Sequence, residues 1–275
     1  MTGSISRRGI LASGLAASLF PSVPTRAATP DLRIQRLAWA GVRLQLPGAT
    51  LFVDPLIDRD VWEDKLPDTL VRVDDTEGDV FVLVTHRHPD HSDAKAIAAA
   101  LQRGGTIGYP GGTPPYNGLG PNIRERPCPI WEPQFFGDFT ATPVPASDGY
   151  GDPQISWVIS AGGRRIFHGG DTMMHGHWWR IGRQFGSFDA AFLPINGARF
   201  SWRQPASDAP AVLTPEQAIS AATILGARRI VPIHYGIKGA QGYAEVDAPL
   251  AALRAAARPG GPDIAALSPG EWLSW

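Results

Sequence analysis

The chain has a single cysteine, Cys128, among its 275 residues, so no intramolecular disulfide can form. With no CxxC partner, the thiol of Pro127-Cys128-Pro129 is read as structural rather than nucleophilic. Charge is also scarce. Asp, Glu, Lys and Arg make up 19% of the chain, and 25 basic residues against 26 acidic ones leave none of the basic excess that a nucleic-acid partner requires. The chain has no repeat and no low-complexity break to divide it into several domains. What it does have is a 43% hydrophobic share, enough for a substantial core, with 31 Gly and 26 Pro for tight turns and irregular loops.

The first stretch stands apart. Ser6-Arg7-Arg8-Gly9-Ile10-Leu11 leads into an apolar, small-residue run to about Phe20, then Pro21, Pro24, Ala27 and Ala28. Residues 1–28 are read as a twin-arginine export signal cleaved near Ala27 or Ala28, with the mature protein in the periplasm. The apolar run is too short for a permanent membrane anchor. Cleavage removes three arginines and no acid, so the formal charge moves from −1 to −4. The mature chain, 29–275, is expected to be one mildly acidic domain taking a small-molecule substrate, and the sequence leaves its oligomeric state open.

The chemistry concentrates in His86-Arg87-His88-Pro89-Asp90-His91, directly after the apolar run Val80-Phe81-Val82-Leu83-Val84-Thr85. The run reads as a buried strand, so the cluster sits where a strand opens into a loop. In an extended stretch His86 and His88 point the same way, while Pro89 forces a turn that swings Asp90 and His91 toward a second point. Imidazoles and a carboxylate are the usual ligands of zinc, and one short loop of this kind can serve two metal ions.

Around this loop the pattern is that of an α/β chain. Leu32–Leu46 alternates apolar and polar residues, and Thr50–Val53 ends at Asp54, giving an opening β-meander. Residues 58–79 are acidic and irregular. A helix over Asp93–Arg103 and a strand over Thr106–Tyr109 are followed by a Pro- and Gly-rich stretch, 110–137, expected to be a long surface loop suited to a substrate lid. Phe139–Val144 is a strand ending at Asp148. Ile155–Ser160 and Arg164–His168 form a hairpin about Gly162-Gly163 that runs into Asp171, and His168 is expected to pack rather than ligate. Phe188–Ile195 is a strand, Thr214-Pro215-Glu216-Gln217 starts a capped helix, and Arg229–Ile233 delivers His234. A helix near Ala248–Ala257 and a strand near Asp263–Leu267 close the chain. Strands thus end at His86, Asp148, Asp171 and His234, and convergence of strand ends is how α/β scaffolds build sites.

These residues resemble the metallo-β-lactamase fold, in particular its branch similar to ascorbate-phosphate lactonases and N-acylphosphatidylethanolamine phospholipase D. The landmarks are Val53-Asp54-Pro55, the HxHxDH loop at 86–91, Gly169-Gly170-Asp171-Thr172 and Pro232-Ile233-His234-Tyr235-Gly236. The resemblance implies a four-layer αββα sandwich with metals at one edge. It puts His86 and His88 on a first metal and Asp90, His91 and His234 on a second, with Asp171 bridging and Asp54 orienting a ligand histidine. Two positions depart from the family. Asp148 stands where a third histidine usually ligates the first metal, and Val42 stands where relatives often carry a histidine. Asp148 is taken as a replacement ligand; the open alternatives are a weak first site and a shift of preference toward Mn2+ or Fe2+.

The resemblance implies a metal-dependent hydrolase, with one or two Zn2+ per chain and catalysis through Asp171 and Asp90. A metal-bound hydroxide would cleave an ester, lactone or phosphodiester. The alternative is a non-catalytic ligand- or metal-binding protein of the same fold with a degenerate first site. His175 and His177 are candidates to compensate for the missing imidazole or to contact substrate. Trp178, Trp179, Trp202 and Tyr235 are candidates for an apolar wall, and Arg199 and Arg203 for holding an anionic group. Ordinary packing competes with pocket lining for each tryptophan.

Overall fold

The computed structural model describes residues 31–205 and 207–275. The expected export signal, 1–28, lies outside the described residues. The chain runs β1 (Arg33–Arg36), β2 (Val42–Leu46), β3 (Ala49–Val53), β4 (Asp79–Leu83), α1 (Ala94–Ala100), β5 (Gly105–Pro110) and β6 (Ile123–Cys128). It continues through β7 (Gln134–Phe136), β8 (Phe139–Pro145), β9 (Ile155–Ala161), β10 (Arg164–His168), α2 (Trp178–Phe185), β11 (Ala190–Pro194) and β12 (Arg199–Phe200). α3 (Pro215–Leu225), β13 (Arg229–Ile233), β14 (Tyr243–Ala244), α4 (Pro249–Ala256) and β15 (Asp263–Ile264) complete it.

Strands β1 to β6 pair in sequence order as one sheet. The second sheet has the order β15-β13-β11-β10-β9-β8-β7, and β12 and β14 form a separate antiparallel ribbon. Period-two alternation assigns each strand face to a layer. Leu51, Val53, Phe81 and Leu83 of the first sheet meet Phe139, Trp157, Ile159, Phe192 and Val231 of the second in one central core. Their alternates Phe52, Val80, Val82 and Val84 face outward onto Ile97 and Ala100 of α1. On the far side Val158, Phe167, Ala191 and Leu193 pack under Trp178, Ile181, Ala222, Leu225 and Leu253 of α2, α3 and α4. The layers are therefore helix, sheet, sheet, helices, the αββα sandwich expected. No helix among the described residues is long and apolar enough to cross a membrane.

The expected hairpin about Gly162-Gly163 and the helix opening at Thr214 are both present. Thr214 and Gln217 form a reciprocal capping box, and Gly226 ends α3 with φ +65. Two expectations are corrected, and one helix is added. The alternation over 32–46 is two strands rather than one, because residues 37–41 make a turn closed by Leu37 N–H to Gly41 O at 2.8 Å. The stretch 110–137 is not a lid loop: it supplies β6 and β7, an edge strand of each sheet. And α2 was not foreseen, although Trp178 and Ile181 sit three apart on its buried face.

Candidate metal centre

The C-terminal ends of β3, β4, β8, β10 and β13 lead to Asp54, the 86–91 loop, Asp148, Asp171 and His234. Fully buried Asp54 organises the centre. Its carboxylate accepts from Thr85 N–H at 2.8 Å and Thr85 Oγ1 at 2.6 Å, and faces His91 Nδ1 at 2.8 Å. Because the Thr85 hydroxyl proton goes to Asp54, its oxygen is left to accept from His86 Nδ1 at 3.0 Å. Both histidines are thereby held with Nε2 turned toward the other ligand-type side chains. Gly170, at φ +66, is required against this chain of contacts, since a Cβ there would meet Thr85 Oγ1 at 2.9 Å.

Two groups of ligand-type side chains result, with ligand atoms in each within 4.8 Å of one another: His86, His88, Asp148 and Asp171, and beside them Asp90, His91 and His234. In the first group His86 Nε2 is 2.9 Å from His88 Nδ1 and 3.4 Å from Asp171 Oδ1, and Asp148 Oδ2 is 3.8 Å from His88 Nδ1. In the second, Asp90 Oδ2 is 3.9 Å from Nε2 of both His91 and His234. Asp171 spans the two, its Oδ2 lying 3.9 Å from His234 Nε2.

Trp39 secures the second group. Its ring lies over His234 with centroids 4.1 Å apart, and its Nε1–H donates to Asp90 Oδ2 at 3.0 Å. Trp39, Asp54 and His234 all have positive φ, at 57°, 43° and 56°. Such conformations are uncommon outside glycine and gather where a site demands them. The loop after His234 is tied down by Glu245, which accepts from Gly236 N–H at 2.7 Å and Ile237 N–H at 3.0 Å.

The electrostatics fit a cation. Burial above all, with neighbouring His91, pushes the His86 and His234 imidazoles well below the ordinary range, so both stay neutral as ligands must. Burial alone would push His91 down too, but the carboxylates of Asp90 and Asp54 outweigh it and raise it to about 10. Burial, reinforced by Asp148 and Asp90, pushes Asp171 up to about 7 against the pull of His91. Among the described residues, His91 Nε2 and both ring nitrogens of His234 are buried without hydrogen-bond partners. Unpaired buried polar atoms are costly, and a metal ion among these imidazoles and carboxylates would satisfy His91 Nε2 and His234 Nε2.

Above the centre is a cavity of about 500 Å³ lined by His88, Asp90, Asp171 and His234 at its base, by Asp152 at its rim, and by Val61, Trp62, Pro89, Tyr150, Phe200, Trp202 and Tyr243. Of the candidate wall residues only Trp202 is among these. Trp178 is fully buried in the outer core against Phe167, because the phase of α2 turns it inward, and His175 is stacked on it at 4.9 Å. His177 and Trp179 are exposed beside the start of that helix. Tyr235 packs in the outer core, with the Arg36 guanidinium 5.6 Å from its ring. Arg199 donates to Asp208 O at 2.9 Å and lines a neighbouring cleft, while Arg203 lies over the Tyr150 ring at 4.4 Å. His168 packs as expected, its Nε2 on Ala40 O at 2.8 Å. The sequence reading missed Trp39, Trp62, Tyr150, Asp152, Phe200 and Tyr243, and a usable signal existed only for Asp152, an acid four residues past Asp148.

A double-sheet sandwich carrying this histidine and aspartate constellation at the strand ends is the metallo-β-lactamase fold. The family described as Beta-lactamase superfamily domain matches residues 49–235. A UPF0173 metal-dependent hydrolase of Rubrobacter xylanophilus is 31% identical over 218 residues, 74% of this chain and 81% of that protein. The chain belongs to this superfamily, among its metal-dependent hydrolases. Igni18, a metallo hydrolase from the archaeon Ignicoccus hospitalis, shares the fold with TM-score 0.64 at 18% identity, covering 88% of this chain and 97% of that one. CmlA, a diiron beta-hydroxylase from Streptomyces venezuelae, shares it with TM-score 0.67 at 17% identity, covering 90% of this chain and 54% of that one.

Proposed function

We propose that the protein is an exported metal-dependent hydrolase of small esters or lactones that carry an apolar ring or acyl group. One observation carries the reading: two adjacent ligand groups lie at the base of a cavity walled by Trp62, Tyr150, Phe200, Trp202 and Tyr243, with no Lys or Arg lining it among the described residues. The aromatic wall favours an apolar substrate. The lack of a Lys or Arg among the described lining residues leaves a phosphodiester anion without a side-chain counter-ion there, which disfavours it among the three bond types that the family resemblance allows.

His86, His88, Asp148 and Asp171 would hold one metal ion and Asp90, His91 and His234 the other, with Asp171 shared; Zn2+ suits the imidazoles, and the two aspartates on the first site also suit Mn2+ or Fe2+. Bound there, the metals would supply Lewis acidity toward the substrate oxygen and acidify water. The aromatic side chains would seat the apolar group and keep bulk water from it. Asp90, held at Oδ2 by Trp39, reaches the cavity floor. It would take the proton released as water adds to the acyl carbon and return it to the leaving oxygen as the ester bond breaks. Ser6-Arg7-Arg8 and the apolar run behind it support twin-arginine export.

The test is a panel of aryl and acyl esters, lactones and phosphodiesters with metal-loaded protein. Turnover of esters or lactones, abolished by chelation, is expected. Preference for phosphodiesters would overturn the substrate class, and absence of any turnover would favour a binding protein. Fractionation of cells expressing the Arg7→Lys, Arg8→Lys variant tests export.

A further inference from the structure

The loop that follows β8 holds two parts of the first ligand group. Asp148 turns Oδ2 toward His88, while its Oδ1 accepts from Tyr150 N–H at 2.5 Å and Asp152 N–H at 3.5 Å. Curled in this way, the loop brings Asp152 Oδ2 to 3.0 Å from His88 Nε2. A histidine that offers Nδ1 to a metal carries its proton on Nε2, and that proton needs an acceptor. Asp152 is the acceptor in reach. Asp54 and His91 show the same relationship at 2.8 Å with the ring nitrogens exchanged: Asp54 takes Nδ1 and frees Nε2, whereas Asp152 takes Nε2 and frees Nδ1. The two aspartates differ in surroundings. Asp54 is fully buried and also holds Thr85, whereas the Asp152 side chain is 60% exposed at the cavity rim.

We infer that Asp152 is a positioning residue for the first metal site, fixing His88 in the Nε2-protonated form with Nδ1 turned to the metal. The loop 148–152 then provides both a ligand, Asp148, and the group that orients its neighbour ligand, and together they stand in for the imidazole usual in the fold. This rests on the metal-dependent reading of the centre.

The experiment is Co2+ titration of the full chain by absorption spectroscopy, with chelator competition, for the native protein, Asp152→Ala and Asp152→Asn. Asp152→Ala is expected to weaken one of two Co2+ affinities by about 10- to 100-fold and leave the other unchanged. Asp152→Asn, which keeps an acceptor oxygen, should recover most of the loss. Thermal unfolding of the metal-free variants should match the native protein. Unchanged Co2+ affinities in Asp152→Ala would overturn the proposal, as would equal weakening of both, or a raised KM with metal binding intact, which would make Asp152 a substrate contact. A native chain that binds no Co2+ would overturn the metal-dependent reading itself, and this proposal with it.

Discussion

His91 Nδ1 and Asp54 Oδ2 lie 2.8 Å apart with both side chains fully excluded from solvent. Removing the carboxylate strands the His91 ring proton, the Thr85 amide and the Thr85 hydroxyl in the interior. Asp54→Ala is therefore expected to lose about 3–5 kcal/mol of stability, the scale for breaking a buried pair. It should also lose the metal held by Asp90, His91 and His234. Denaturant unfolding and elemental analysis of whatever folds check both outcomes.

Metal uptake should release protons. His91, raised to about 10 in the metal-free protein, is protonated at neutral pH and must lose its proton to ligate, while His86 and His234 are already neutral and release none. Asp171, at about 7, is mostly ionised at pH 8 and mostly protonated at pH 6. Calorimetry in buffers of different ionisation enthalpy should find protons released at pH 8 and more of them released at pH 6. Affinity should accordingly increase with pH from 6 up to about 10, less steeply above 7, where Asp171 is already ionised and His91 still has a proton to lose. Uptake with no proton release contradicts the assignment of His91.

Asp148 adds an anionic oxygen where the fold usually has an imidazole, and an anionic ligand reduces the acidity a metal confers on water. Asp148→His should shift the acid limb of the rate against pH profile downward. A profile that is unchanged or displaced upward contradicts ligation by Asp148.

Two of the three tryptophans read as wall candidates, Trp202 and Trp178, should separate cleanly. Trp202 is half exposed at the cavity, so Trp202→Ala should raise KM for an aryl ester about 5-fold, equivalent to about 1 kcal/mol of aromatic contact, without changing Tm. Trp178 is fully buried, and Trp178→Ala should cost about 3–5 kcal/mol of stability with little change in KM of the folded fraction.

How much of the site could be read from the chain follows the distance over which each contact acts. His86 to His91 share one loop behind an apolar strand, and Asp148, Asp171 and His234 each follow a strand of their own, so local pattern was enough to nominate them. The partners that hold them are remote: Trp39 meets Asp90 across 51 positions and His88 meets Asp152 across 64. No periodicity records such pairings. Trp178 misled because it follows the Asp171 segment and was named with Trp179 for the cavity wall, when a helix sends consecutive side chains in different directions, here one into the core and one into solvent. The stretch 110–137 misled because its prolines and glycines mark turns between edge strands as readily as a loop.

The most direct test of the account is metal content per chain, measured by elemental analysis on protein purified without added metal, for the native protein and for Asp148→Ala. Two ions in the native protein and one in the variant, with ester or lactone hydrolysis lost on chelation and regained on reloading, is the predicted result. A native protein that carries no metal and takes none up would contradict it.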